Sequence, residues 1–172
     1  MIMKNHAYWR AFLILISYAL IASLYYGIGV LPHLQSHYVG YQADPSLFIW
    51  MINWWPFAIS HHLNPLYTHY LWQPVGYSVA NATSIPALAL LMWPMTKLFG
   101  AVASYNLLAI YLNALSAWTA YLLCRYLTKS TLSAWIGGFI FGFSTYQIGQ
   151  TLGGHLNLLS TFILPLLVWI AI

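Results

Sequence analysis

From Ala103 to Cys124 the chain runs without one charged side chain, and the same holds from Ala11 to Val30. Coiled as α-helices, these runs are each about 30 Å long, the thickness of the hydrocarbon core of a bilayer. Water could solvate a chain built on such runs only if the remaining residues supplied a charged shell. They do not: charged residues make up 3% of the chain, one acid and five bases in 172 residues, where a soluble domain carries about a quarter. The surface is therefore expected to face lipid. Nine Trp and fourteen Tyr fit that expectation, since aromatic rings collect where membrane meets water. The five bases are scattered along the chain and form no basic run, so no nucleic-acid partner is expected. Lys4 and Arg10 precede the first apolar run in the manner of a secretory leader. That run is a full crossing in length and no small-residue cleavage site follows it, which favours an anchor.

Two further apolar segments complete the pattern. Residues 132–148 carry Gly137, Gly138 and Gly142, small residues that let helices approach closely. Residues 155–172 are apolar apart from a few polar side chains and contain Pro165. Between the first two runs, Pro32, Pro45, Pro56, Pro65 and Pro74 interrupt a polar-aromatic stretch that cannot cross a bilayer intact. The sequence thus predicts an all-α integral membrane protein with about four transmembrane helices, over 11–30, 103–124, 132–148 and 155–172. Interfacial helices are expected in a long first external loop over 31–102. The segment 84–99, broken by Pro94 and Lys97, decides the orientation. If it crosses, Lys4, Arg10 and Lys97 lie inside while Arg125 and Lys129 lie outside. If it lies along the surface or re-enters, Arg125 and Lys129 join Lys4 and Arg10 inside, leaving Lys97 alone outside. The second arrangement obeys the positive-inside rule better. It places the N-terminus in the cytoplasm and brings the loop before His155 to the same outer face as Asp44.

Asp44 is the chain's single acid. A carboxylate beside a membrane is a functional candidate because leaving it uncompensated is costly, although Asp-Pro also suits a helix start, with Asp as N-cap and Pro45 at the first helical position. His33, His37, His61, His62 and His69 share the external loop. Their spacing matches no local metal motif, so no cofactor is fixed; a divalent metal ion, with Asp44 among its ligands, is the open candidate. His155 follows Gly153-Gly154 and would sit at the mouth of the last helix, where the N-terminal dipole favours an anion. Asn64-Pro65 and Gln73-Pro74 read as turns that could present amides to a ligand. Cys124 reads as a small buried hydrophobe.

Taken together, Ala43-Asp44-Pro45-Ser46-Leu47-Phe48-Ile49-Trp50, Leu63-Asn64-Pro65-Leu66, Leu98-Phe99-Gly100, Cys124-Arg125-Tyr126-Leu127 and Gly154-His155-Leu156 resemble the N-terminal part of bacterial GT-C-type membrane glycosyltransferases. These depend on polyprenyl-phosphate sugars and are related to the protein O-mannosyltransferases and aminoarabinose transferases. The resemblance implies an inverting transfer at the outer face of the bacterial inner membrane, with membrane lipids and a polyprenyl-phosphate sugar as partners. It implies Asp44 as catalytic base or metal ligand, and His155, Lys97, Asn64 and His61 as substrate-binding candidates. Two departures stand out: Asp44 has no second loop acid beside it, and such enzymes have many more spans, so the chain reads as the N-terminal portion of a longer module. Two other classes stay open on the residues alone. One is a non-catalytic scaffold or accessory subunit, whose Gly137-Gly138-Gly142 face would bind partner helices. The other is a transporter fragment for lipid-linked sugars, disfavoured because the spans offer little beyond Asn106, Asn113 and a few Ser and Thr.

Overall fold

A computed structural model describes residues 2–41 and 43–172, with side chains from Tyr8 onward. The chain is mostly helical, 72% of it. Helix α1 (Ile2–Ala22) passes into a π-helical turn over Ser23–Gly27. After a 3₁₀ turn at Leu31–His33 come α2 (Asp44–Ser60), a two-residue antiparallel strand pair, and two short helices, α3 (Pro86–Leu91) and α4 (Trp93–Phe99). The longest helix, α5 (Ala101–Thr128), is followed by α6 (Thr131–Gly142), α7 (Thr145–Gly153), a 3₁₀ turn at Leu156–Leu159, and α8 (Ile163–Ala171).

Helix α5 is the axis on which everything else is hung, and its small residues explain why. Ala109, Ala114, Ala117 and Ala120 are buried, so neighbouring backbones can come close. At Gly142 an added Cβ would stand 2.5 Å from the Ala117 nitrogen, and at Gly138 2.5 Å from the Ala117 carbonyl oxygen. The glycine face that suggested a partner helix is thus occupied by α5 of the same chain. The two helices run antiparallel, Gly137 facing Cys124 and Gly142 facing Ala117. Helix α1 is also antiparallel to α5: Trp118 Nε1 donates to the Ala11 carbonyl (2.8 Å), and Ser23 Oγ meets Tyr111 Oη (3.0 Å) farther along.

Among the described residues, only Tyr8–Gly27 and Ala101–Thr128 are single helices long and apolar enough to cross a membrane. The expected spans at 132–148 and 155–172 take another form. The first is interrupted at Phe143–Ser144, where Ser144 caps a fresh helix by accepting from the Gln147 amide (3.4 Å). The second begins as a 3₁₀ turn, and only its last half is α-helix. Interrupting two apolar segments frees backbone groups and draws in polar side chains, and the bundle pairs several of these internally, although the buried Gln147 Oε1 has no hydrogen-bond partner. Asn113 Nδ2 donates to Thr151 Oγ1 (3.0 Å), Thr151 Oγ1 to the Gln147 carbonyl (2.8 Å), Gln147 Nε2 to Thr161 Oγ1 (2.9 Å), and Thr161 Oγ1 to Ser116 Oγ (2.9 Å). This polar ladder ties α7 and the chain after it to α5.

The segment 84–99 is likewise two helices with a break at Met92. Thr96 Oγ1 meets Ser104 Oγ at 2.8 Å, which lays α4 against the start of α5. Residues 31–100 therefore gather at the N-terminal end of α5. They include one departure from an all-α fold, the strand pair Tyr67–Thr68 with Tyr77–Ser78 (Tyr67 opposite Ser78). Outward, α1 exposes Trp9, Phe12, Leu13, Ile16 and Leu20, the π-helical turn after it exposes Leu24, and α8 exposes Ile163, Leu164, Leu167, Val168 and Ile170. Exposed apolar surface on this scale marks a contact with something other than water.

Candidate functional site

At the N-terminal end of α5, Asn106 organises the loop that leads to the single acid. Its Oδ1 accepts from the Val39 amide (3.0 Å), and its Nδ2 donates to the carbonyls of Leu34 (2.9 Å) and His37 (2.7 Å). Tyr105 Oη donates to the Val39 carbonyl (3.0 Å). Beyond Val39, Gly40 turns with φ +101° and Tyr41 donates its amide to the Leu152 carbonyl (3.2 Å), which joins the loop to the end of α7. Gly154 closes α7 in the left-handed conformation (φ +78°), and a Cβ there would stand 2.4 Å from the Pro45 ring. Only glycine allows that approach. The contact presses the start of α2 against the turn that carries His155.

The result joins two residues 111 positions apart. His155 Nε2 lies 3.2 Å from Asp44 Oδ2. On its other side His155 Nδ1 meets Gln150 Oε1 at 2.5 Å, while the His155 amide donates to the Gln150 carbonyl (2.9 Å). With the Gln150 amide in this orientation both ring nitrogens face acceptors, an arrangement that suits the doubly protonated ring. Turned over, the same amide would donate to Nδ1, and a neutral ring donating to Asp44 would be satisfied instead. The side chains are 34% exposed at His155 and 45% at Asp44, so the pair is held in place yet open to a ligand.

Two local readings change. Asp44 is not an N-cap: Ala43 holds that position, no side chain caps the helix, and Asp44 lies within the first turn. Its carboxylate is left free for His155, and the helix dipole still favours a negative charge there. His155 is not at the mouth of a long helix; it stands between the left-handed end of α7 and a four-residue 3₁₀ turn. The dipole proposed for its anion affinity is therefore absent, and the imidazole itself must supply any positive charge.

The other candidates lie elsewhere. His61 Nδ1 is engaged with the Phe57 carbonyl (2.9 Å) and Ser60 Oγ (3.1 Å), and its ring packs on Phe57. Asn64 Oδ1 accepts from the Leu66 amide (2.9 Å), a turn role. Lys97 is exposed in the last turn of α4 and pairs with no acid. His33 and His37 lie against each other, ring centres 4.8 Å apart.

Asn64 does line a groove of about 600 Å³ with Trp54, Tyr67, Tyr70 and Gln73. That hollow continues into two more that share Trp54, Tyr70, Trp50 and Asn53 with one another. Together they follow one face of α2. Asn53 is nine residues from Asp44, half a turn out of phase at 100° per residue, so this groove runs along the side turned away from Asp44.

As metal ligands, Asp44 and His155 are one carboxylate and one imidazole, already bonded to each other. Among the described residues no group of three or more His, Cys, Asp or Glu gathers. A catalytic zinc normally takes three protein ligands, so a cation here would need further ligands from substrate or water, and no step below depends on one.

Reasoning on the sequence placed Asp44 and His155 on one side but missed Gln150, Asn106 and the glycine contacts that hold them. Gln150 had a signal, being a polar residue in the turn between two apolar segments, five positions before the histidine. The Gly154–Pro45 contact had none, since it depends on how two distant turns meet.

These elements define a mostly helical protein with two helices of membrane-crossing length and a carboxylate–imidazole–amide cluster at one end of its central helix. The chain belongs to the family described as a domain of unknown function, DUF6311, which matches residues 14–172. No curated protein and no solved structure matches it.

Proposed function

We propose that this is an integral membrane protein acting as a glycosyltransferase, or as the N-terminal part of one, with a polyprenyl-phosphate sugar as donor. In this reading α1, α5, the α6–α7 segment and the segment 155–172 cross the bilayer of a bacterial inner membrane, and the N-terminus is cytoplasmic. The near-absence of charge and the exposed apolar faces of α1 and α8 support the membrane placement. The observation that carries the chemistry is the 3.2 Å Asp44–His155 contact, assembled from two distant segments and left open.

The reaction is nucleophilic displacement at the anomeric carbon. The acceptor's O–H or N–H proton passes to the Asp44 carboxylate as the new bond to carbon forms. The bond from that carbon to the phosphate oxygen breaks with inversion, and its electron pair leaves on the polyprenyl phosphate. His155 orients the carboxylate through Nε2, and the phosphate departs on the opposite face of the anomeric carbon. The aromatic groove on the far side of α2 takes no part in this step.

The test is transfer of label from a polyprenyl-phosphate sugar in membranes carrying the full chain. Asp44→Asn should lower kcat by about 10²–10⁴-fold, the range for loss of a general base. An Asn variant with undiminished transfer would refute the base assignment. Absence of transfer from any polyprenyl-phosphate sugar, in a chain that stays membrane-bound, would instead favour the scaffold reading.

A further inference from the structure

At the opposite end of α5 from Asp44, three of the chain's five bases come together. Arg10 from α1 and Arg125 and Lys129 from the end of α5 line one hollow of about 420 Å³, with Tyr8, Tyr126 and Trp169. The sequence scatters these bases over more than a hundred positions. The antiparallel packing of α1 on α5 collects them, and α8, descending along α5, brings Trp169 to within 6.5 Å of Tyr126, ring to ring. Lys129, left-handed at the end of α5 (φ +57°), holds its ammonium 4.4 Å over the Tyr126 ring. A cation–π contact of this kind fixes the charge without neutralising it.

No acid balances the three charges. The only Asp or Glu in the chain is Asp44, at the other end of a helix about 40 Å long. Like charges around one hollow repel unless an anion lies among them. The positive-inside rule accounts for bases on this side of a membrane, but it does not require them to converge on a single space. Aromatic rings at the hollow's wall match the headgroup level of a bilayer, and basic pockets between spanning helices on the cytoplasmic side suit phosphate-bearing lipid headgroups.

We propose that Arg10, Arg125 and Lys129 form a binding site for the phosphate of an anionic phospholipid headgroup, separate from the Asp44–His155 pair. This rests on the membrane part of the functional reading and is independent of the transfer chemistry. The two Arg side chains would take phosphate oxygens in their forked geometry, Lys129 would add a third positive charge, and Tyr8 and Trp169 would pack beside the glycerol.

The full chain, purified in detergent, is titrated with phosphatidylglycerol and separately with phosphatidylcholine, with inorganic phosphate as competitor. Bound lipid is read by native mass spectrometry. Phosphatidylglycerol should be retained over phosphatidylcholine. The triple variant Arg10→Gln, Arg125→Gln, Lys129→Gln should bind phosphatidylglycerol about a hundredfold more weakly, some fivefold per charge removed. Lys129→Arg, which keeps the charge, should bind as the parent does and guards against a folding artefact. Inorganic phosphate should compete poorly, because it lacks the acyl anchor; displacement at equal concentration would assign the site to free phosphate and overturn the lipid proposal. Equal retention of both lipids, or a triple variant that binds like the parent, would also overturn it. Release of the protein from membranes by alkaline carbonate would instead defeat the membrane reading itself.

Discussion

Replacing Gly154 by Ala tests the contact on which the Asp44–His155 pair depends. Two costs follow from the structure. The residue sits at φ +78°, where a side chain is disfavoured by about 1–2 kcal/mol. Its Cβ would also stand 2.4 Å from both Cδ and Cγ of Pro45, and a proline ring cannot rotate aside. Overpacking of this kind costs about 1–3 kcal/mol. The sum, about 2–5 kcal/mol, should lower the melting midpoint in detergent by about 5–15 °C for a chain of this length. Gly149→Ala is the control, since it lies within α7 with nothing within 4 Å of the new Cβ. It should leave the midpoint unchanged or raise it slightly, because Ala is the better helix former. The two costs can be separated. In a Pro45→Ala background the clash is relieved and only the backbone cost remains, so the double-mutant cycle should show a coupling of about 1–3 kcal/mol. If Gly154→Ala melts with the parent protein, or couples to Pro45 by less than a few tenths of a kcal/mol, the packing of α2 against the His155 turn is not as described.

Two further substitutions probe the supports of the site and the bundle. Asn106→Leu removes three hydrogen bonds to the loop and leaves the buried Val39 amide without its acceptor; a loss of about 2–4 kcal/mol is expected, read as earlier proteolysis between Leu34 and Tyr41 and a lowered melting midpoint. Thr161→Val keeps the shape of the side chain but deprives the buried Gln147 Nε2 of its acceptor and Ser116 of its donor. It should cost about 1–3 kcal/mol, measured by thermal unfolding, and a neutral result would mean that the polar ladder does not hold α7 in place.

The sequence disclosed those parts of the fold that depend on one segment at a time. The long charge-free run around 103–124 is α5, extended by a few residues at each end. Counting bases brought His155 to the side of Asp44, and the two are in contact. The breaks were harder to read. Ser144 with Gln147 three residues on has the spacing of a helix start, but it sits inside an apolar stretch whose hydropathy argues for continuity. Hydropathy cannot see that Asn113, Thr151, Gln147, Thr161 and Ser116 are linked by hydrogen bonds, because each looks like an isolated polar residue until the helices are packed. The basic hollow was hidden for the same reason: Arg10 becomes a neighbour of Arg125 only once α1 lies on α5.

If the proposed membrane placement holds, the break between α6 and α7 bears on how the chain is inserted. A continuous apolar helix can leave the insertion machinery alone, since its backbone is satisfied within itself. The segment from Thr131 to Gly153 has no such freedom. Around Phe143–Ser144 its hydrogen bonds lapse, and it carries Gln147 and Thr151, whose partners are on α5 and beyond. On the membrane reading, it would therefore leave together with α5, as a hairpin, or wait beside it until Thr161 has been synthesised. Biogenesis of this protein would then be timed by its polar ladder, and a substitution such as Thr161→Val would be felt first as a slow or stalled nascent chain, before any mature molecule exists to be unfolded.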